Sequence, residues 1–392
     1  MDVSVTSPSP DVSVVMPCLN EADTLAACVR KALEAFRSAG IDGEVLVADN
    51  GSTDGSPQIA ESLGARVVPV REKGYGNALM GGIQAARGRY IIMGDADDSY
   101  DFIEVPKFVE ELRKGYDLVM GCRLPSGGGT VAPRAMPFLH RWLGNPMFSA
   151  MARRIFRAPI HDVYCGMRGF TREHYERLGL RFTGMEFATE MVVKSSLLHA
   201  KISEVPITLH PNGRKTHAQH LKTFSDGWRT LRFFMLYSPR ALYLVPGLIL
   251  MAIGALGYLV AYPGITVGRA VIDVHTLLLA SLLIIMGYQG VVFALLAKIF
   301  AVQEHILPED ARLTRFFQVA TLEKALVLSA ATFLLGAAFV AVAAYRWYAA
   351  GFGRLDYPST MRIVIPGVLL ATIGSQSIMG SFFASILGMH RK

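Results

Sequence analysis

Residues Arg89–Phe102 read RYIIMGDADDSYDF. The apolar run Tyr90–Met93 suits a strand, and Gly94 ends it. Four aspartates then fall within seven positions: Asp95, Asp97, Asp98 and Asp101. Carboxylates packed this closely repel one another. The segment is therefore either a solvated turn or a site that a cation completes. Asp95 and Asp97 stand two apart in a strand-end turn, so both can approach one hard cation. Oxygen ligands of this kind suit Mg²⁺ or Mn²⁺, and substrate phosphates often complete the shell of such ions.

Outward from this stretch the chain alternates. Val12–Met16, Val45–Ala48, Val67–Val70 and Leu118–Met120 are further short apolar runs. Helical spacing fills the gaps at Ala22–Ala39, Ser56–Leu63, Asn77–Ala86 and Val105–Arg113. Apolar strands alternating with helices predict a parallel sheet covered on both faces. Ligands of such sheets bind beyond the carboxyl ends of the strands. The polar residues gather there: Asn20, Glu21 and Asp23 after the first run, Asp49, Asn50, Ser52 and Asp54 after the second, the aspartates after Met93, and Arg123 after the Leu118 run. Four loops thus converge on one carboxylate-rich edge. It is not a dinucleotide site, since the first turn, PCLNEAD, has no glycine, and KGYGNALMGG has Leu79 where a third glycine belongs.

Composition divides the chain in two. It has 392 residues, 52% hydrophobic and 18% charged, with a mean hydropathy of +0.34. After about Pro239 long apolar stretches dominate. Leu242–Tyr262, Thr276–Ala301, Ala325–Tyr348 and Ile363–Met389 each reach the roughly 20 residues that cross a bilayer. Four spans put both ends on one side. Arg240, Lys298, Arg312, Arg315, Lys324, Arg391 and Lys392 on that side outnumber Arg269, Arg346, Arg354 and Arg362 on the other, which predicts a cytoplasmic catalytic part. The N-terminus, MDVSVTSPSPD, has no signal-peptide pattern. Cys18, Cys28, Cys122 and Cys165 show no paired metal spacing and fit a reducing compartment. The net charge of +7 suits anionic lipid or phosphate, and no aromatic or zinc motif argues for nucleic acid.

VSVVMPCLNEADTL, VLVADNGSTDGS, KGYGNALMGGIQAARGRYIIMGDADDSYD and MGCR, in that order, resemble the nucleotide-binding half of a family 2 glycosyltransferase with the GT-A fold. The likeness is greatest to the polyprenyl-phosphate (dolichol-phosphate) mannose or glucose synthases and covers about residues 12–240. It implies a Rossmann-like mixed α/β sheet followed by an all-α membrane domain of four helices. It also implies roles. Pro17, Asn20 and Glu21 match the P-x-x-N-E segment lining the nucleotide. Asp49 matches the acid that reads the base or ribose, with Ser52 and Asp54 in the next turn. Gly74, Gly76 and Asn77 match a glycine-rich loop near the nucleotide. Asp95 and Asp97 match the D-x-D that holds the divalent ion and the donor diphosphate. Ser99 stands where some members carry a glutamine ligand, and is by that resemblance the candidate third metal ligand beside Asp95 and Asp97.

A phosphate acceptor needs positioning rather than a base, because its second pKa is near ~6. Arg123, Arg134, Arg168, Arg214 and Lys215 are the candidate cations. By resemblance Arg123 touches the acceptor phosphate, Arg134 is a second such arginine, and Arg214 lies in a basic loop over the donor diphosphate. Asp162–Phe170 resembles the segment shaping the sugar pocket. MEFATEMVV should begin a helix with Glu190 near the site, and Glu190-Met191 replaces the acid pair of hydroxyl-transferring relatives. His217 and His220 are ligands, acid/base groups or neutral hydrogen-bonders. On Phe224–Tyr237, Trp228, Leu231, Phe234 and Met235 can share one face, as in an interfacial helix or a core helix.

The expected organisation is a cytoplasmic catalytic domain over 1–223, an amphipathic helix over 224–240 and a membrane domain over 241–392. The expected activity is inverting transfer of a hexose from a nucleotide sugar of the GDP-mannose or UDP-glucose type to a polyprenyl phosphate in the plasma membrane, with homo-oligomers possible. Two alternatives stand beside it. A processive polysaccharide synthase would need Q-x-x-R-W, but Phe138 occupies the first position before Arg141-Trp142. A non-catalytic lipid-sugar binding or flipping protein would not need Asp95, Asp97 and Arg123.

Overall fold

The computed structural model describes residues 9–214, 223–264, 266–267, 270–304, 306–308, 311–319 and 321–388. Lys215, His217, His220, Arg269, Arg312, Arg391 and Lys392 lie outside these residues or have side chains outside the description. The chain forms two compact units, Met1–Phe234 and Met235–Lys392.

The first unit begins with the alternation expected: β1 (Val12–Cys18), α1 (Leu25–Ala39), β2 (Gly43–Asp49), α2 (Ser56–Ser62), β3 (Arg66–Pro69), α3 (Tyr75–Ala85), β4 (Tyr90–Met93), α4 (Val105–Arg113) and β5 (Leu118–Cys122). It continues through β6 (Thr130–Val131), α5 (Asn145–Phe156), β7 (Arg168–Thr171), α6 (Arg172–Leu178), α7 (Glu186–Leu197), β8 (Ile202–Pro206), β9 (Thr208–Leu209) and α8 (Thr223–Leu236). α1 shows why these helices form. Leu25, Cys28, Val29, Ala32, Ala35 and Phe36 are buried at helical spacing, and Gly40 ends the helix in the left-handed region.

Seven strands make one sheet in the order β3-β2-β1-β4-β7-β5-β8. β7 runs antiparallel to both β4 and β5, and the other pairs are parallel. The sheet is thus mixed. This corrects the wholly parallel sheet expected from strand alternation and agrees with the fold implied by the resemblance. Strand order reverses beside β1, which opens a crevice at the ends of β1 and β4. The aspartate loop leaves β4 at that point.

On α8, Phe234 is fully buried against the rings of Phe148 and Phe156, at 6.3 and 5.4 Å. Trp228 is 63% exposed. The expected shared face is therefore divided, because the helix packs Phe233 and Phe234 inward.

The second unit holds α9 (Val245–Ala261), α10 (Val274–Gln303), α11 (Ala311–Val319), α12 (Leu322–Ala349) and α13 (Tyr357–Gly388). Four helical segments, Arg240–Ala261, Val274–Gln303, Leu322–Ala349 and Tyr357–Gly388, are long and apolar enough to cross a membrane. Their exposed leucines, valines and phenylalanines suit lipid rather than water. α9 and α10 touch through Gly247 and Gly287: a Cβ on Gly247 would lie 2.6 Å from the Gly287 carbonyl oxygen. Small residues at helix contacts allow this backbone approach. Inside the bundle Tyr288 and Ser377 hydrogen-bond between α10 and α13.

Candidate active site

The loops at the sheet edge are tied to one another before any ligand arrives. Asn20 sits in the left-handed region, φ 60°. Its amide N donates to Ser52 Oγ at 2.9 Å, and its Oδ1 accepts from Thr53 N at 2.8 Å. Asp54 accepts from Ala22 N at 2.9 Å and from the Ser56 hydroxyl at 2.6 Å. Burial pushes the Asp54 carboxyl up, but hydrogen bonds from Ser56 and Ala22 outweigh it and hold the group below the usual range. Asp49 ends β2 and accepts from Gly51 N and Ser52 N, each at 3.1 Å. Pro17 lies within β1, half-buried. Asn50 spans to the next loop, accepting from Gly74 N at 2.9 Å and donating to Val70 O and Glu72 O.

The glycine-rich loop is fixed from the other side. Asn77 N donates to Thr183 O at 3.2 Å. A Cβ on Gly76 would lie 2.6 Å from Phe182 O, so only glycine allows the two backbones this close. Buried Glu190 holds that facing loop, accepting from Arg181 N at 2.9 Å and Phe182 N at 3.0 Å, and pairs with Lys194 at 2.8 Å. Glu190 therefore supports the loop and does not line the cavity.

The four aspartates of the opening stretch have distinct partners. Asp98 and Asp101 face Lys31, at 2.8 and 3.7 Å. Asp101 also caps the turn at Ile103 N. Asp97 accepts from the Ser99 hydroxyl at 2.5 Å and lies 3.8 Å from Arg214. Arg214 in turn grips Glu21 with two nitrogens, Nε at 2.9 Å. Among the described residues Asp95 has no ion pair; it accepts from the Tyr75 hydroxyl at 2.9 Å, and the Arg214 and Arg123 charges act on it from farther off. Burial and then the Asp97 charge raise Asp95 to about 6. Among the described residues no three His, Cys, Asp or Glu side chains are grouped to hold a metal. Asp95, without an ion pair among the described residues, and Asp97 close by fit a divalent ion whose other ligands come from phosphate and water. The Ser99 hydroxyl, expected as a third ligand, donates to Asp97.

Asp95, Asp97, Ser99 and Arg123 line a cavity of about 250 Å³ whose further wall includes Met136, Pro137, Phe148 and Leu209. Arg123 is buried and locked to fully buried Asp162, with Nε–Oδ2 2.7 Å and Nη2–Oδ1 2.9 Å. Its Nη1 points to the Tyr100 hydroxyl at 3.5 Å.

Not every candidate cation reaches this wall. Arg134 is exposed, at φ 65°, and does not line the cavity. Arg168 is fully buried, donating to Ala188 O and Cys165 O at 2.5 Å each. It braces the backbone around β7 and is no surface cation for an acceptor. Sequence reading missed Lys31, Tyr75 and Tyr100. Their only signal was position, on α1 and beside the glycine and aspartate motifs.

Residues 13–179 match the glycosyl transferase family 2 model, and residues 295–388 match the glycosyltransferase family 2 C-terminal transmembrane region. The low-salt glycan biosynthesis hexosyltransferase Agl6 of Haloferax volcanii is 36% identical over 381 residues, 97% of this chain and 90% of that protein. The dolichyl-phosphate hexose transferase of the same organism is 31% identical over 207 residues, 53% of this chain and 86% of that protein. Glucosyl-3-phosphoglycerate synthase from Mycobacterium tuberculosis, solved in complex with Mn²⁺, uridine diphosphate and glucosyl-3-phosphoglycerate, gives a TM-score of 0.43 at 21% identity over 58% of this chain and 78% of that one. With the edge loops, the D-x-D cavity and the apolar spans in place, the chain belongs to glycosyltransferase family 2, as a multi-pass membrane member.

Proposed function

We propose that this chain transfers a hexose from a nucleotide sugar to a polyprenyl phosphate, with inversion at the anomeric carbon. The observation that carries the reading is the composition of the cavity. One part bears Asp95, Asp97 and Arg123, and another is apolar at Met136, Pro137, Phe148 and Leu209. An anionic head on an apolar tail satisfies both parts. The resident spans suit a substrate dissolved in the bilayer.

Asp95 and Asp97 would hold Mg²⁺ or Mn²⁺ against the donor diphosphate. The ion would supply charge neutralisation for the departing nucleoside diphosphate. Arg214, already between Glu21 and Asp97, adds a second positive group for that charge. Pro17, Asn20, Glu21, Asp49, Ser52, Asp54, Gly74 and Asn77 surround the nucleotide. Asp54 acts mainly by fixing the loops, since both its oxygens are engaged there, and the Asn20 Oδ1 does the same. Asp49 has free lone pairs for a ribose or base. Arg123 positions the acceptor phosphate, which attacks the anomeric carbon without a general base. The catalytic unit faces the cytoplasm of the plasma membrane, as the loop charges indicate.

The test is transfer from a panel of labelled nucleotide sugars to a short polyprenyl phosphate by the purified chain with Mn²⁺. A chloroform-soluble, mild-acid-labile monosaccharide is expected. A water-soluble polymer, or no transfer with any donor, overturns the reading.

A further inference from the structure

One donor on the cavity wall has no part in the scheme above. Tyr100 ends the aspartate loop, is 3% exposed, and lines the cavity with Asp95, Asp97 and Arg123. Its oxygen accepts from Gly166 N at 2.8 Å and, more weakly, from Arg123 Nη1 at 3.5 Å. A phenol also carries one hydrogen of its own. Among the described residues, that hydrogen is donated in no hydrogen bond, although the Asp95 carboxylate lies nearby. Burial outweighs the opposing Arg123 charge and pushes the phenol well above its ordinary value, so the hydrogen stays on at neutral pH. A buried donor without an acceptor is costly, unless a ligand supplies the acceptor.

Arg123 makes this donor more pointed. Asp162 occupies its Nε and Nη2, which leaves the Nη1 edge toward Tyr100. A guanidinium N–H and a phenol O–H therefore converge on one part of the cavity. The bond from Gly166 N and the burial of the ring hold the phenol in place, so the donor is preorganised.

We propose that Tyr100 donates its phenolic hydrogen to a phosphate oxygen of the acceptor, beside Arg123, and so aims the attacking oxygen. The assignment rests on the lipid-phosphate reading. The hydrogen stays on Tyr100 throughout. The attacking phosphate oxygen forms a bond to the anomeric carbon as the bond from that carbon to the nucleoside diphosphate breaks. The electron pair of the broken bond leaves with the diphosphate.

The full chain is assayed in lipid nanodiscs with polyprenyl phosphate, nucleotide sugar and Mn²⁺ varied in turn. Tyr100→Phe keeps the ring and removes the donor. The acceptor KM is expected to rise about tenfold, the size of one hydrogen bond to a charged group. The donor KM and the Mn²⁺ requirement should stay unchanged. Inorganic phosphate should also compete less well against the lipid in this variant. 3-Fluorotyrosine at the same position keeps the fold, strengthens the donor, and should lower the acceptor KM. An unchanged acceptor KM in both substituted proteins, or a donor KM that rises in step, overturns the assignment while leaving lipid-phosphate transfer standing. Wild-type protein that ignores polyprenyl phosphate but glycosylates a hydroxyl acceptor overturns both. Should Tyr100→Phe fail to fold, the fluorotyrosine protein decides alone.

Discussion

The Arg123–Asp162 pair can be used to separate holding the fold from binding the acceptor. Arg123→Met removes the cation and leaves Asp162, fully buried, without its charged partner. Breaking a buried ion pair from one side costs about 3–5 kcal/mol. For a unit of this size that lowers the melting midpoint by about 10 °C. The double variant Arg123→Met/Asp162→Leu removes the stranded charge as well, and most of the midpoint should return. Transfer should not return, because the group facing the acceptor is still missing. The protein carries its own reporters. Cys122 and Cys165 flank the pair, both fully buried, and burial raises both thiols to about 12. A thiol-reactive fluorogenic dye will not label them until the unit opens. Its fluorescence against temperature gives the midpoint in detergent, and lipid-product counting gives activity. A single variant that melts like wild type would show that the pair does not hold the fold. A double variant that transfers at the wild-type rate would remove Arg123 from the acceptor site.

Other perturbations test the remaining parts. Asp97→Ala should abolish transfer, and full retained activity in the radiolabel assay would remove the metal assignment. Asp95, raised to about 6, is ionised above that pH and protonated below it. Mn²⁺ affinity, followed by electron paramagnetic resonance, should therefore plateau above about pH 6 and fall about tenfold per unit below it; a flat profile refutes the assignment. In the metal-free protein the sign for stability is opposite. A carboxyl whose folded pKa is raised contributes stability at low pH that is lost as pH rises through about 6. Gly76→Ala would drive a Cβ to 2.6 Å from Phe182 O and 2.8 Å from Thr183 C, both backbone atoms. Glu190 holds that loop, so it cannot retreat cheaply. A loss of about 1–3 kcal/mol is expected by thermal unfolding, with a raised KM for the nucleotide sugar.

What could be read from the chain was what local pattern encodes. β1, β2, β4 and β5 are runs of buried apolar residues, and the loops at their ends were correctly placed on one edge. β7 was invisible as a strand. It reads Arg-Gly-Phe-Thr, with a fully buried arginine and a glycine whose absent side chain makes room for Ile92. Neither residue signals a central strand, and its antiparallel direction follows from the chain's return path. Arg168 was misplaced, and the supporting role of Glu190 went unread, for a related reason. A buried charge looks like a functional charge until its partners are known. Glu190 had a clue in Lys194 four residues on, the spacing of a helical ion pair. Arg168 had none, because its partners are backbone carbonyls.

The four aspartates that opened the sequence are now unequal, and the inequality argues for function. Lys31 compensates Asp98 and Asp101, and Arg214 lies against Asp97. Asp95 alone has no ion pair among the described residues, only a phenol hydroxyl. A fold indifferent to chemistry could relieve this by placing an amide there, since Tyr75 would serve an amide oxygen equally well. A carboxyl kept buried beside a second carboxylate is relieved either by taking a proton, as its rise to about 6 reflects, or by a cation that comes and goes. A divalent ion that enters with a diphosphate and leaves with it meets that description. Lys31 is shared by Asp98 and Asp101, and Arg214 by Glu21 and Asp97, so a cation proposed for this site would be drawn to Asp95 and Asp97. This is the argument for a divalent-dependent transfer that no count of acidic residues could make.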